Sequence, residues 1–183
     1  AEVTEWTLKE VFQQLYYANV KLEGIILKPN TIVPGQKSAK QASADEVAEK
    51  TVKVLKACVP GAVPGVAFLS GGQSDELATE HLSRMNAIGG LPWTLTFSCC
   101  RALQAAAIMA WGGKSENVAA GQRAFSHRAR MNGLAALGKW TRRPPRATRW
   151  SRRTSTRSTS STSLPARNAD FTHQFTNGVS KCI

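Results

Sequence analysis

The sequence has no long apolar run, and this absence excludes a class of protein. No window of the 183 residues approaches the 18 uninterrupted apolar side chains of a membrane-spanning helix. Glu2, Glu5 and Glu10 lie where a secretion signal would have a basic start and an apolar centre. We therefore expect a cytoplasmic protein with no contact to a membrane.

Cysteine is scarce and lacks the spacing of a metal or redox site. The four cysteines, at positions 58, 99, 100 and 182, form neither a CxxC pair nor a zinc-binding pattern, and two of them are adjacent. Reduced thiols are the simplest interpretation. The spacing predicts no bound metal.

Acidic residues are almost missing from the last quarter of the chain. Residues 1–138 carry 14 Lys/Arg and 11 Asp/Glu, a net charge of +3, whereas residues 139–183 carry 10 Lys/Arg and one acid, a net charge of +9. That tail is rich in Arg, Ser and Thr and has no usable period, so we predict a domain at 1–139 and a disordered tail at 140–183. Trp140 and Trp150 among these cations leave nucleic-acid binding as an alternative, although no recognised binding module accompanies them.

The folded part alternates helical and strand patterns. Apolar runs at 22–27, 65–70 and 93–98 predict three buried strands. The spacing of apolar residues and the capping signals predict helices at about 2–18, 43–58, 75–85, 101–111 and 116–137. Continuous apolar strands that alternate with helices indicate a parallel α/β sheet covered on both faces, in which Trp93 and Phe97 belong to the core.

A single lysine follows the first of these strands, in Leu-Glu-Gly-Ile-Ile-Leu-Lys-Pro-Asn at 22–30. One interpretation is that Lys28 extends from the strand end and keeps its ammonium group in water. The other is that burial lowers the pKa of a partly desolvated amine, which then attacks a carbonyl group. The pattern of this segment alone leaves both open.

Small and polar residues follow the other two strands. Ser70, Gly71 and Gly72 form a glycine turn before a helix, where backbone amides and the helix dipole suit a phosphate, although an ordinary turn has the same pattern. Ser98 ends the third strand, and Arg101 opens the next helix, where a cation is favourable only near an anion. Since ligands of parallel α/β folds bind beyond the carboxyl ends of the strands, all three segments point to one site.

Five segments together resemble the carboxyl-terminal half of class I fructose-1,6-bisphosphate aldolase, in its bacterial form. The resemblance covers about residues 1–140. It rests on the segments LEGIILKPN, FLSGGQS, LTFSCCRALQ, AWGGKSENVAAGQ and MNGLAALGKW. The resemblance implies a partial (β/α)8 TIM barrel, whose three strands correspond to the sixth, seventh and eighth.

The resemblance also implies a chemistry. Lys28 would form a Schiff base in the reversible cleavage of fructose 1,6-bisphosphate to dihydroxyacetone phosphate and glyceraldehyde 3-phosphate, in glycolysis and gluconeogenesis, without a metal or other cofactor. Ser70, Gly71, Gly72, Ser98 and Arg101 would bind a phosphate of the sugar.

This sequence departs from the family in three respects. A barrel of this kind takes roughly 250 residues, so the strands that supply the acid and base carboxylates are absent. The family usually has an aromatic and a small residue where Cys99 and Cys100 stand, and a thiol at position 100 would hinder a close phosphate contact. The tail after residue 139 is unlike the family, as translation in a shifted frame would produce.

From these departures we expect an inactive fragment that forms a homo-oligomer or pairs with a complementary barrel half. We expect only surface or capping roles for His81, His127 and His173.

Overall fold

The computed structural model describes residues 1–98 and 101–142, which form an α/β fold in the predicted order of elements. The elements are α1 (Glu2–Tyr17), β1 (Ile26–Leu27), α2 (Ala44–Cys58), β2 (Gly65–Phe68), α3 (Asp75–Ile88), β3 (Thr94–Phe97), α4 (Arg101–Trp111) and α5 (Val118–Ala136). Short 3-10 helices at Leu22–Gly24 and Ser115–Asn117 precede β1 and α5.

The three strands form one parallel sheet in the order β1-β2-β3. Gly65 in the central strand pairs with Ile26 on one side and with Thr94 on the other. An isolated parallel bridge between Asn30 and Leu69 continues the register of the first pair beyond the end of β1. The prediction of a parallel sheet with a helix between consecutive strands is confirmed.

One face of this sheet is packed into the hydrophobic core. Val66 and Phe68 of β2 and Leu95 and Phe97 of β3 are buried on that face, as predicted for Phe97. They form a cluster with α2 and α3, to which Val52, Leu55, Leu82 and Met85 also belong. Full burial of each such side chain stabilises the fold by about 1.5–3 kcal/mol, so this face holds the helices on the sheet.

The other face of the sheet is open, so the prediction that both faces are covered is wrong for the described chain. Ile26 is 57% exposed, and Thr94 on the same face is also exposed. Three strands cannot close into a barrel, because closure requires the two edge strands to meet. Within residues 1–98 and 101–142, the open face is therefore exposed to solvent at Ile26 and Thr94.

The first strand is shorter than the predicted strand at 22–27. Residues Leu22–Gly24 form a 3-10 helix, and the Ile25 N–H donates to the Leu22 carbonyl at 3.3 Å. Only Ile26 and Leu27 pair with β2 as a regular strand. The prediction of a strand from residue 22 is therefore wrong for residues 22–25, because the backbone of Leu22–Gly24 forms local 3-10 bonds and does not pair with β2.

The helices begin largely where the capping signals predict. The Ser43 side chain accepts from the Glu46 N–H at 3.2 Å at the start of α2, while the Glu46 carboxylate pairs with Lys50 at 2.7 Å. Only the serine half of the predicted capping box is therefore formed.

The packed structure continues past the predicted domain boundary at residue 139. The Trp140 N–H donates to Ser83 Oγ at 3.1 Å, and Arg142 pairs with the carboxylate of Glu80 at 2.8 Å. Trp140 is half-buried and also packs against the core. The predicted disorder of the tail, with Trp150, His173 and Cys182, concerns residues 143–183 and lies outside the described residues.

Candidate functional site

The carboxyl ends of the three parallel strands lie side by side at the same end of the sheet. Lys28 directly follows β1, Ser70 lies two residues after β2, and Ser98 directly follows β3. Since neighbouring strands of a sheet are about 4.8 Å apart, the three segments share one site at this end. The structure thus brings together the strand ends on which the predicted site depends.

The strand register places Lys28 on the open face of the sheet. Pairs Ile26–Gly65 and Asn30–Leu69 flank it, so Lys28 lies opposite Ala67 of β2. Side chains alternate along a strand, and Lys28 therefore shares the face of Ile26. Lys28 is exposed. The predicted desolvation of its amine is not provided by the described residues, because the face around it is open to water.

The turn after β2 has the geometry that its two glycines predict. Gly72 has a φ of +77°, which glycine adopts without strain, and the Gln73 N–H closes the turn by donating to the Ser70 carbonyl at 3.2 Å. Within residues 1–98 and 101–142, the amide N–H groups of Gly71 and Gly72 have no acceptor. Two adjacent unpaired donors suit a phosphate oxygen.

The amino-terminal end of α3, which follows this turn, already has partners for some of its N–H groups and for its dipole. The Ser74 hydroxyl accepts from the Leu77 N–H at 3.2 Å, and Asp75 and Glu76 place two carboxylates in the first turn of α3. These carboxylates offset the positive end of the helix dipole. The unpaired amides of the turn therefore suit an anion better than the helix dipole does.

Ser98 and Arg101 frame the end of the third strand. The Ser98 N–H donates to the Phe68 carbonyl at 2.9 Å, which extends the pairing of β2 with β3 by one residue. Arg101 is the first residue of α4. The predicted phosphate contact of the Arg101 side chain and the predicted hindrance by Cys99 and Cys100 lie outside what the structure describes.

His81 is buried, so the prediction of a surface or capping role for it is wrong. Only 1% of its surface is exposed, and its Nδ1 lies 2.6 Å from the Gln73 Oε1 in the glycine turn. Burial lowers the pKa of His81, and the neighbouring Glu80 opposes this shift. His127 is exposed as predicted. The spacing of three and four residues that joins Ala78, His81 and Met85 on one face of α3 could have revealed its burial.

A buried arginine near the site was missed in the sequence. Arg128 of α5 donates from Nε to the Ala102 carbonyl at 2.9 Å and from Nη2 to the Asp75 carbonyl at 2.8 Å. The same Nη2 donates to the Thr79 hydroxyl at 2.7 Å. Arg128 thereby links the amino-terminal turns of α3 and α4, the helices that follow β2 and β3. Its place in one helical stripe with Gly121 and Ala135 is the signal that could have indicated burial.

The described residues contain no group of three His, Cys, Asp or Glu that could hold a metal ion. Among the helices of residues 1–98 and 101–142, none is long and apolar enough to cross a membrane. Cys58 is a free thiol.

Residues 1–159 match the sequence profile of the family described as "Fructose-bisphosphate aldolase class-I". The chain is 51% identical over 140 residues to a "Probable fructose-bisphosphate aldolase class 1" of Xanthomonas axonopodis pv. citri, which covers 76% of this chain and 42% of that protein. It is 51% identical over 142 residues to "Fructose-bisphosphate aldolase 5, cytosolic" of Arabidopsis thaliana, covering 77% of this chain and 39% of that protein.

A solved structure is similar in fold as well as in sequence. Fructose-bisphosphate aldolase from Plasmodium falciparum, crystallised in complex with TRAP and a small-molecule inhibitor, superposes with a TM-score of 0.74 at 45% identity. The match covers 76% of this chain and 40% of that one. The chain therefore spans about two fifths of the length of the relatives that it matches.

Proposed function

Since this chain belongs to the class I fructose-bisphosphate aldolase family, we propose that it is the Schiff-base-forming and phosphate-binding part of such an aldolase. The whole reaction is the reversible cleavage of fructose 1,6-bisphosphate to dihydroxyacetone phosphate and glyceraldehyde 3-phosphate, in glycolysis and gluconeogenesis. The observation that carries the proposal is the position of Lys28, which follows β1 beside the Ser70–Gly72 turn at one edge of a parallel sheet.

Lys28 is the proposed nucleophile. Its unprotonated Nζ adds to the ketone carbon of the sugar, and loss of water leaves an imine between Nζ and that carbon. The protonated imine accepts the electron pair released when the bond between the third and fourth carbons breaks. This chemistry is metal-independent and needs no other cofactor, in agreement with a cysteine and histidine spacing that offers no metal site.

The turn after β2 is the proposed phosphate site. The free N–H groups of Gly71 and Gly72 donate to phosphate oxygens, and the Ser70 and Ser98 hydroxyls and the Arg101 guanidinium complete the contacts. A phosphate held there fixes the ketone of the sugar within reach of Lys28, because the first two strands of the sheet are neighbours. Binding energy from the phosphate thus orients the carbon that reacts.

The site is incomplete in this chain alone. Lys28 is exposed to water on the open face. We propose that the remaining strands of a family barrel, supplied by a complementary polypeptide, pack beside the outer strands β1 and β3 of the sheet. They would exclude water from Lys28 and supply the acid and base carboxylates. Formation of a homo-oligomer is the alternative arrangement for the same surfaces.

Trapping with borohydride tests the nucleophile. The chain is incubated with dihydroxyacetone phosphate and borohydride, alone and with the amino-terminal remainder of the Xanthomonas relative, and adducts are located by peptide mass. We expect little or no adduct on the chain alone and a stable adduct at Lys28 in the mixture, because only the closed site excludes water from the amine and supplies the acid and base carboxylates.

Two matched variants control this experiment. Lys28→Arg keeps the positive charge but cannot form an imine, so it should abolish trapping in the mixture. Lys21→Arg changes an exposed lysine beyond the opposite, amino-terminal end of β1 and should leave trapping intact. An adduct at another lysine in the mixture would contradict the assignment of Lys28, and efficient trapping on the chain alone would contradict its incompleteness.

The proposed location is the cytoplasm, and the Arabidopsis relative that carries "cytosolic" in its name supports it. Fluorescence of the tagged chain in its own cell, compared with a cytoplasmic marker, tests this proposal. Accumulation in another compartment would contradict it.

A further inference from the structure

His81 is a buried titratable side chain for which the proposed reaction has no use. It lies in the second turn of α3, and its Nδ1 approaches the Gln73 Oε1 to 2.6 Å. An amide oxygen can only accept a hydrogen bond, so Nδ1 carries the proton and donates it. This bond joins the helix interior to the glycine turn.

Gln73 is well placed to control the shape of that turn. It follows Gly72, whose φ is +77°, and precedes Ser74, the N-cap residue of α3. Its own N–H closes the turn on the Ser70 carbonyl. The backbone of Gln73 is therefore held by its bond to Ser70, across the two glycines, and its side chain is held by His81.

Ordering a turn with two consecutive glycines costs much backbone conformational entropy. Glycine loses more conformational freedom on ordering than any other residue, so a free glycine turn would lose that freedom when a phosphate binds. A turn that is already held in the binding conformation loses less, and its affinity for the ligand is higher. In the described chain, the Gly71 and Gly72 amides have no competing acceptor.

We propose that His81 is a positioning residue, whose hydrogen bond to Gln73 holds the Ser70–Ser74 turn in the conformation that presents the Gly71 and Gly72 amides to a phosphate. This inference rests on the proposed function and adds to it a residue that does not touch the substrate. His81 acts only through Gln73.

Three substitutions in the full chain separate this role from packing. In His81→Asn, the side-chain Nδ2 lies near the place of the histidine Nδ1 and can still donate to Gln73. In His81→Leu, the volume is nearly kept and the donor is lost. Gln73→Leu removes the acceptor at a half-buried turn position, where the substitution leaves the helices intact.

The measurement is a titration of the isotopically labelled chain with inorganic phosphate, followed by the NMR signals of the Gly71 and Gly72 amides. We expect a phosphate affinity about tenfold lower in His81→Leu and in Gln73→Leu, the equivalent of one hydrogen bond. His81→Asn should bind phosphate within about threefold of the unsubstituted chain. The double variant His81→Leu/Gln73→Leu should be no weaker than either single variant, since both remove the same bond.

Hydrogen exchange of the amides of residues 71–74 without phosphate gives a second readout, and thermal unfolding checks that each variant is folded. Exchange should be faster in His81→Leu than in His81→Asn. Equal phosphate affinity in His81→Leu and in the unsubstituted chain overturns the positioning role alone, as does an affinity of His81→Asn as low as that of His81→Leu. No response of the Gly71 and Gly72 amides in the unsubstituted chain overturns the proposed phosphate site, and the inference fails with it.

Discussion

The two faces of the three-stranded sheet have opposite characters. On one face Val66, Phe68 and Leu95 are buried against helices, and on the other Ile26 is exposed beside Lys28. The packed face provides the stability that the isolated chain has. The open face carries the proposed nucleophile, so in this chain folding and chemistry depend on different sides of the same strands.

The largest expected effect is on the packed face. Phe68→Ala removes a fully buried ring and should lower the free energy of unfolding by about 3–5 kcal/mol. The matched change on the open face, Ile26→Ala, should lower it by less than about 1 kcal/mol, because much of that side chain already contacts water. Denaturant unfolding measures both, and equal losses would contradict the difference between the faces.

A smaller loss is expected at Arg128, which joins the helix starts behind the packed face. Arg128→Met should lower the free energy of unfolding by about 3 kcal/mol, because it removes bonds to the Asp75 and Ala102 carbonyls and the Thr79 hydroxyl. Arg130→Met, at an exposed position of the same helix, should change it by less than about 0.5 kcal/mol. An equally small change in the free energy of unfolding at both positions would contradict the structural role of Arg128.

The next prediction concerns the shape of the glycine turn after β2, at the carboxyl end of the sheet. Gly72→Ala places a side chain at φ +77° and within 3.4 Å of the Gln36 Nε2, and it should lower the free energy of unfolding by about 1 kcal/mol. Gly71→Ala meets no atom within 4 Å and should have a smaller effect. Thermal unfolding of the two variants is the measurement. A larger loss in Gly71→Ala would show that the turn has a different shape in solution.

The smallest expected effect is a pH dependence from His81. Burial lowers the pKa of His81 in the folded chain below the 6.5 of an unperturbed histidine, so the unfolded chain binds the proton more readily. The stability that the neutral form provides is complete above pH 6.5 and is lost as the pH falls through the lowered folded pKa. Denaturant unfolding between pH 7 and pH 5 should show this loss, and His81→Asn should reduce it. An unchanged pH profile in His81→Asn would assign the loss to other groups.

The positions of the elements were predictable because each has a local cause. The serine at position 43 caps α2 through the Glu46 N–H, and Gly71 and Gly72 end the apolar run of β2. The location of the candidate site was also predictable, since parallel strands place their carboxyl ends together. The family resemblance of residues 1–140 agreed with the profile match over 1–159.

Burial was less predictable, because it depends on partners far along the chain. The apolar spacing of α3 indicates on which face His81 lies, but its acceptor Gln73 lies in the turn before the helix and only the fold brings the two together. Arg128 is buried because backbone carbonyls at the starts of α3 and α4 meet there. The exposure of Lys28 likewise follows from strands that do not close around it.

The sequence by itself determined the family, the alternation of helices and strands, and which residue types follow each strand, because caps, glycine turns and apolar periods act over a few residues. The tertiary structure alone decided which face of the sheet is packed, which groups bond to His81 and Arg128, and that Lys28 is open to water. These properties depend on long-range packing, which brings together residues that lie far apart in the sequence.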